Sequence, residues 1–242
     1  MVLESIQGLS DDIVIVDSGS TDGTLELVNK YTDRIYHKDW EGFGPQKVYA
    51  ESLCKHNWIL NLDADEILLP EVRESIQTLF LEPEETRKSA YALRICHVSH
   101  LSKSKRPRPL CPVNVTARLY DRKRAGFKDS PVHDKLVVFK RTTVKTLKGD
   151  VAHISLKSFD HLRKKIKHYS ELQAQDWFDK GRKPSSFQYL YDPAIFFLKN
   201  YFLRRLCFVG YEGLMISIIL SQGRIQRIRN TRQKWREAKA QT

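Results

Sequence analysis

The sequence predicts an α/β fold, a mainly parallel sheet with crossover helices, followed by a helical and basic C-terminal extension. Three observations carry this. Through residue 81, short β-branched runs alternate with segments of helical periodicity, the pattern of strands linked by crossover helices. Two apolar runs in that part end in aspartate, at Asp17 and Asp63. Beyond His153 the periodicity turns helical and the charge strongly positive. The division this gives is an α/β domain over residues 1–155 and a helical, aromatic-rich region over residues 156–242.

Ile13-Val14-Ile15-Val16 is the clearest strand. It stops at Asp17 and enters Ser18-Gly19-Ser20-Thr21-Asp22-Gly23, whose short polar side chains suit the cap of a helix starting near Thr24. A short strand near residues 34–37, a Gly-Phe-Gly-Pro loop at 42–45 and a helix over 46–55 follow. Trp58 to Leu62 reads as the next strand. Pro70 suits the first turn of a helix reaching Leu81, with Val72, Ile76, Leu79 and Phe80 at helical spacing. Residues 91–98, 115–120 and 135–139 read as later strands, around a basic, proline-containing loop from Lys103 to Pro112. After these come a polar amphipathic helix over 159–180, an aromatic-rich stretch over 187–208 and a basic helix over 222–239.

At 242 residues, with 41% hydrophobic and 29% charged content, the chain is long enough to bury a sizeable core. The net charge of +12 is uneven: residues 1–139 carry 19 Lys+Arg against 21 Asp+Glu, and residues 140–242 carry 22 against 8. A basic half reads as a surface for anionic partners. The four cysteines, Cys54, Cys96, Cys111 and Cys207, form no CxxC pair, which points to buried thiols in a reducing compartment rather than a disulfide framework. No basic start or long apolar run opens the chain, so secretion is not expected. The apolar stretch from Leu206 to Leu220 has 15 residues and contains Glu212, short of the roughly 20 that span a bilayer.

The chemistry concentrates at Leu62-Asp63-Ala64-Asp65-Glu66, where carboxylates follow an apolar strand at the carboxyl edge of the sheet. Open α/β sheets bind ligands there. Carboxylates in that place suit a divalent cation that neutralises a diphosphate. A solvated acidic turn is the competing reading of an isolated Asp-x-Asp. The acidic strand end of a P-loop ATPase is set aside because no GxxxxGK[ST] occurs. The second acidic strand end, Asp17, is expected to meet Asp63 and Asp65 at one sheet edge.

The motifs IVIVDSGSTDGT, GFGPQK and WILNLDADE together resemble family 2 glycosyltransferases of the glycosyltransferase A (Rossmann-like) fold, in particular bacterial lipopolysaccharide or lipooligosaccharide core β-1,4-glucosyltransferases. The resemblance continues through TARLYDRKRAGF, PVHDKL and AHISLKSF. It implies an inverting transfer of a hexose, glucose from UDP-glucose, onto a lipid-linked saccharide acceptor, with Mg²⁺ or Mn²⁺ as cofactor. Carried over residue by residue, Asp17 faces the nucleoside of the donor, Asp63 lies near the ribose, and Asp65 holds the metal. Lys47 meets phosphate or base, and His153 completes the metal or diphosphate site. The family's His-Glu pair corresponds to His133-Asp134 here, so Asp134 is the candidate base that takes the acceptor's proton, with Asp129 in reserve.

Members of that family begin with an apolar strand and a Thr-Tyr-Asn-Glu-like loop before the helix to which Leu3-Glu4-Ser5-Ile6 corresponds. This sequence starts at that helix, so the resemblance implies an N-terminally truncated sheet, with weakened nucleotide binding and low stability expected. The C-terminal region interleaves Trp177, Phe178, Tyr189, Tyr191, Phe196, Phe197, Tyr201 and Phe202 with Lys199, Arg204 and Arg205. Half of these aromatics are expected in the core, and the cations toward anionic headgroups. The resulting expectation is a cytoplasmic enzyme in peripheral contact with the inner membrane. A degenerate, non-catalytic relative is an alternative. Nucleic acid, suggested by Arg163-Lys164-Lys165, Lys167 and the arginines from Arg224 to Arg236, is not the expected partner, because no RNP, KH or zinc-finger pattern accompanies them.

Overall fold

The computed structural model describes residues 1–128, 136–139 and 144–240. They divide into two compact units: residues 1–96 with 113–153, and residues 97–112 with 154–242.

In the first unit, α1 (Val2–Ile6) is followed by β1 (Ile15–Asp17), α2 (Thr24–Val28) and β2 (Ile35–His37). β1 and β2 pair in parallel as a sheet of their own, with Asp17 opposite His37. α3 (Phe43–Leu53) begins inside the Gly-Phe-Gly-Pro segment that the sequence reading placed in a loop. Pro45 fits its first turn, and Gly42, at φ +121°, takes the backbone conformation that admits the chain there.

β3 (Trp58–Leu60), β4 (Glu66–Leu68), α4 (Pro70–Leu81), β5 (Ala90–His97), β6 (Val113–Asp121), β7 (Ala125–Phe127), β8 (Leu136–Val138) and β9 (Lys145–His153) complete the unit. Five strands form one sheet in the order β3-β6-β5-β9-β4. Here the expected parallel arrangement fails: β3 with β6, β5 with β6, β4 with β9 and β7 with β8 all run antiparallel. The cause is local. Among the described residues between β5 and β9 no α-helix separates successive strands, and antiparallel neighbours need no crossover helix.

The core packs α4 against this sheet. Val72, Ile76 and Leu79 on the helix meet Leu93, Ile95, Leu119, Val151 and Tyr91, each buried aliphatic contributing about 1.5–3 kcal/mol. Gly149 in β9, at φ +87°, permits the close approach, since a Cβ there would lie 2.3 Å from the Val72 backbone nitrogen. The edge strand β4 is covered: the Leu68 amide donates to Ser5 Oγ at 3.1 Å, and Arg73 donates to the Ser5 carbonyl at 2.8 Å, so α1 satisfies donors that an open edge leaves bare.

The second unit is built on α5 (Phe159–Asp179) and a single 30-residue α7 (Tyr211–Ala240). Ser158 caps α5 by accepting from the His161 amide. The two helices approach closely at Gly223, whose carbonyl accepts from Ser170 Oγ at 3.0 Å. α6 (Gln188–Leu198) runs into a π-helical turn over Lys199–Leu203 and a 3₁₀ turn over Leu206–Val209. Two of the arginines read from the sequence as a nucleic-acid surface turn inward: Arg224 and Arg227 both pair with Asp192. Arg227 also lies 3.8 Å from the centre of the Trp177 ring, and burial together with the Arg224 charge pulls its pKa down to about 10. Cys96 and Cys111 are buried thiols.

Candidate active site

The site forms where β3 ends and β4 begins. Leu62 to Asp65 cross between these strands in a turn closed by the Glu66 amide donating to the Asp63 carbonyl at 3.0 Å. The Asp63 amide in turn donates to Glu66 Oε2 at 3.0 Å. Asp63 and Glu66 are thereby fixed beside one another.

Between their carboxylates lies Arg118, from β6. Its Nη2 donates to Asp63 Oδ2 and to Glu66 Oε1, both at 2.6 Å, while Nη1 reaches Asn61 Oδ1 at 3.3 Å. Lys47, from α3, closes the other side of Asp63 with Nζ 3.1 Å from Oδ1, and stands 5.1 Å from the centre of the Phe127 ring. Glu66 is 1% exposed, Arg118 6% and Lys47 7%; the Asp63 side chain is 39% exposed. The two carboxylates respond oppositely. Partial burial pushes Asp63 up, but the charges of Arg118 and Lys47 outweigh it and hold the carboxyl below its usual range. For Glu66 burial dominates, Arg118 offsets it only in part, and the neighbouring Asp63 charge adds to the rise.

Asp65 points elsewhere. Its Oδ2 lies 3.1 Å from His153 Nε2, because the β4–β9 register sets Glu66 opposite His153. The hydrogen bond to Asp65 raises the His153 pKa against the opposing effect of burial, aided by the charges of Asp65, Glu66 and Asp63. Among the described residues no three His, Cys, Asp or Glu side chains converge as a ready-made metal cage. Asp65 and His153 meet only as a pair, one carboxylate and one imidazole, both of them donor types that divalent metals take.

Asp17 lies in a different sheet from the strands flanking Asp63 and Asp65, which corrects the expectation of one shared edge. The missing connection is a helix rather than a strand ladder. Gln46, beside Lys47 on α3, donates through Nε2 to Ser18 Oγ at 2.7 Å and to the Lys38 and Asp39 carbonyls at 2.9 and 3.1 Å. Asp17 itself accepts from the Gly19 and Ser20 amides at 2.8 Å and from Ser20 Oγ. Those bonds, from Ser20 foremost, lower its pKa. Its carboxylate braces the turn over residues 18–20. Asp134 and Asp129 lie outside the described residues.

Lys47, Asp63, Asp65 and His153 thus gather around β3, β4 and β9. Arg118 and Glu66 join them without having been singled out by the sequence. The available signal was a lone cation inside the apolar run Ala117-Arg118-Leu119-Tyr120, since a buried Arg needs a carboxylate partner. A groove of about 460 Å³ lined by Glu4, Ser5, Gln7, Gly8, Leu68, Pro70 and Arg73 holds none of these groups.

An α/β unit with Asp63 and Glu66 held beside the buried Arg118, taken with the proteins it matches, is that of a glycosyltransferase. More closely, the profile of glycosyl transferase family 2 matches residues 2–135, and the chain belongs to that family. An uncharacterized glycosyltransferase of Rickettsia bellii (strain RML369-C) is 33% identical over 238 residues, 96% of this chain and 80% of that protein. The lipopolysaccharide core biosynthesis glycosyltransferase LpsC of Rhizobium meliloti (strain 1021) is 29% identical over 222 residues, 88% of this chain and 79% of that protein. Among solved structures, S. aureus TarS 1-349 matches 98% of this chain and 87% of its own at 15% identity, with a TM-score of 0.41.

Proposed function

We propose that this family 2 glycosyltransferase transfers a hexose, glucose from UDP-glucose, with inversion onto a lipid-linked lipopolysaccharide or lipooligosaccharide core acceptor, at the cytoplasmic face of the inner membrane. The observation that carries the reading is the Asp65–His153 pair at 3.1 Å, set beside an Asp63 already immobilised by Lys47 and Arg118. The similarity to LpsC, a protein named for lipopolysaccharide core biosynthesis, supports the acceptor class. No described helix is long and apolar enough to cross a membrane.

In this mechanism the acceptor hydroxyl oxygen attacks the anomeric carbon as the bond to the diphosphate oxygen breaks, and UDP leaves with the bonding pair. Asp134 takes the hydroxyl proton. Asp65 and His153 would hold Mg²⁺ or Mn²⁺, which supplies charge neutralisation at the leaving diphosphate. His153 has to release its proton to serve as a ligand. Asp63, kept ionised by its two cations, offers its exposed oxygen edge to the ribose hydroxyls. Lys47 is occupied by Asp63, so its contribution to donor binding runs through the orientation of that carboxylate. Asp17 shapes the turn against which the nucleoside lies.

The test is transfer from UDP-glucose to a purified core acceptor with Mn²⁺ and with a chelator. Asp65→Asn should lower kcat by about 10²-fold or more, the several kcal/mol that metal charge stabilisation supplies, with unchanged circular dichroism. A variant that keeps the parent rate refutes the metal assignment.

A further inference from the structure

We propose that the C-terminal unit docks on an anionic lipid bilayer through the outward face of α6 and the π-helical turn that follows it. This supplies a surface for the membrane location proposed above and rests on that reading only for its biological setting; the docking itself does not depend on which sugar moves.

The helix is inverted relative to an ordinary surface helix. Phe187, Tyr191, Ile195, Leu198 and Phe202 follow one another at spacings of four, four, three and four residues, which places them on one stripe of a helix with 3.6 residues per turn. All five are exposed, from 43% for Tyr191 to 70% for Phe187, and the flanking Leu190 and Leu203 are exposed at 72% and 79%. Two polar residues of the same segment, Asp192 and Asn200, face inward instead. Asp192 is held by Arg224 and Arg227 of α7. Asn200 is fully buried, donates to the Phe196 carbonyl and accepts from Arg204. A contiguous apolar stripe on the water side, with Asp192 and Asn200 turned inward, marks an interaction surface.

Charge identifies the occupant. Between Phe187 and Tyr211 the sole carboxylate is Asp192, already paired inside, whereas Lys199, Arg204 and Arg205 are exposed along the rim. Apolar and aromatic side chains bordered by cations match the acyl boundary and anionic headgroups of a bilayer. A second copy of the chain would instead bring two positive rims onto one interface. At 11 residues α6 is too short to span the bilayer and lies along it.

The experiment is co-sedimentation of the full chain with vesicles of phosphatidylethanolamine and phosphatidylglycerol at three to one, and with phosphatidylcholine alone. Binding to the anionic vesicles should fall at least about tenfold in Leu198→Glu/Phe202→Glu. Lys199→Ala/Arg205→Ala should weaken it about tenfold on anionic vesicles only, as should raised salt. Leu81→Glu, an exposed apolar residue of the first unit, should leave it unchanged. The proposal is overturned if the parent chain ignores anionic vesicles, if Leu198→Glu/Phe202→Glu binds them as well as the parent, or if light scattering shows that this variant only splits an oligomer. UDP-glucose binding, titrated in parallel, stays constant across the variants and keeps the fate of the transfer reading separate.

Discussion

Replacing Arg118 by Met probes the site most directly, because it removes one guanidinium from between two carboxylates. Arg118 makes contacts of 2.6 Å to both Asp63 and Glu66 and a third at 3.3 Å to Asn61. The Asp63 contact is discounted to about 0–1 kcal/mol, because that side chain is partly in water. Glu66 is 1% exposed, and stranding a buried charge by removing its partner costs about 3–5 kcal/mol. The expected loss is therefore about 3–6 kcal/mol near pH 8, which lowers the urea midpoint by about 1–2 M for a slope of about 3 kcal/mol per M, the upper end of the usual range, as suits a chain of this length. Glu66 already has a raised pKa from burial, and losing Arg118 raises it further. The penalty belongs to the ionised carboxylate, so it is present above that raised pKa and shrinks as the pH falls through it. Urea unfolding followed by circular dichroism at pH 8 and pH 5.5 measures this, and Glu66→Gln in the Arg118→Met background should restore at least half the loss. A deficit under about 1 kcal/mol, one equal at both pH values, or no rescue by Glu66→Gln refutes the claim that Arg118 neutralises Glu66.

In the second unit, burial pushes the Glu212 carboxyl up, but hydrogen bonds from His97 and Ser99 and the charges of His100 and His97 hold it below its usual value. A depressed carboxyl gives stability that is present above its unfolded pKa and lost as the pH falls through the folded one. Glu212→Gln should therefore cost about 1.5–3 kcal/mol at pH 7 and progressively less toward pH 3, read by urea unfolding across that range. Gly149→Ala should prevent stable folding of the first unit, since the new Cβ would sit 2.3 Å from the Val72 nitrogen at a φ of +87°. Soluble yield and thermal melting decide it, and a parent-like melting temperature counts against the α4–β9 packing. Gln46→Ala should loosen the loop after β1, raising the KM for the nucleotide-sugar donor several-fold with kcat little changed, because its amide joins Ser18 to the Lys38 and Asp39 carbonyls.

The elements with their own periodicity were legible. Val72, Ile76 and Leu79 announce α4 by spacing alone, and the polar amphipathic pattern over 159–180 announces α5. β4 was not, because Asp63-Ala64-Asp65-Glu66 reads as a polar turn. Its last residue is in fact the first of a strand, made so by the pairing of Glu66 with His153, 87 positions away. β9 was hidden likewise, since Lys148, Gly149 and Asp150 interrupt its alternation and the bends they allow are justified only by α4 lying against them. The site shows the same division. Asp63, Asp65 and His153 carry recognisable local sequence, whereas Arg118 becomes informative only once its burial is known. The family resemblance sets Lys47 toward phosphate or base, and its engagement with Asp63 is a tertiary fact that no local pattern encodes.

That engagement changes how the two acidic strand ends communicate. Gln46 and Lys47 are consecutive on α3, so their side chains leave the helix about 100° apart and serve different partners: one holds the loop following Asp17, the other holds Asp63. Both partners are fixed by short, partly buried polar contacts. A shift of α3 therefore moves the loop and the carboxylate together. In a sheet, register keeps neighbouring strand ends aligned; here β1 and β3 share no ladder, and the helix takes over that role. The Gly-Phe-Gly-Pro segment gains a structural reason from this: Gly42 and Pro45 set where α3 starts, and hence where positions 46 and 47 fall on its first turns. Lengthening or shortening that segment by one residue would rotate both side chains off their partners while leaving each partner intact.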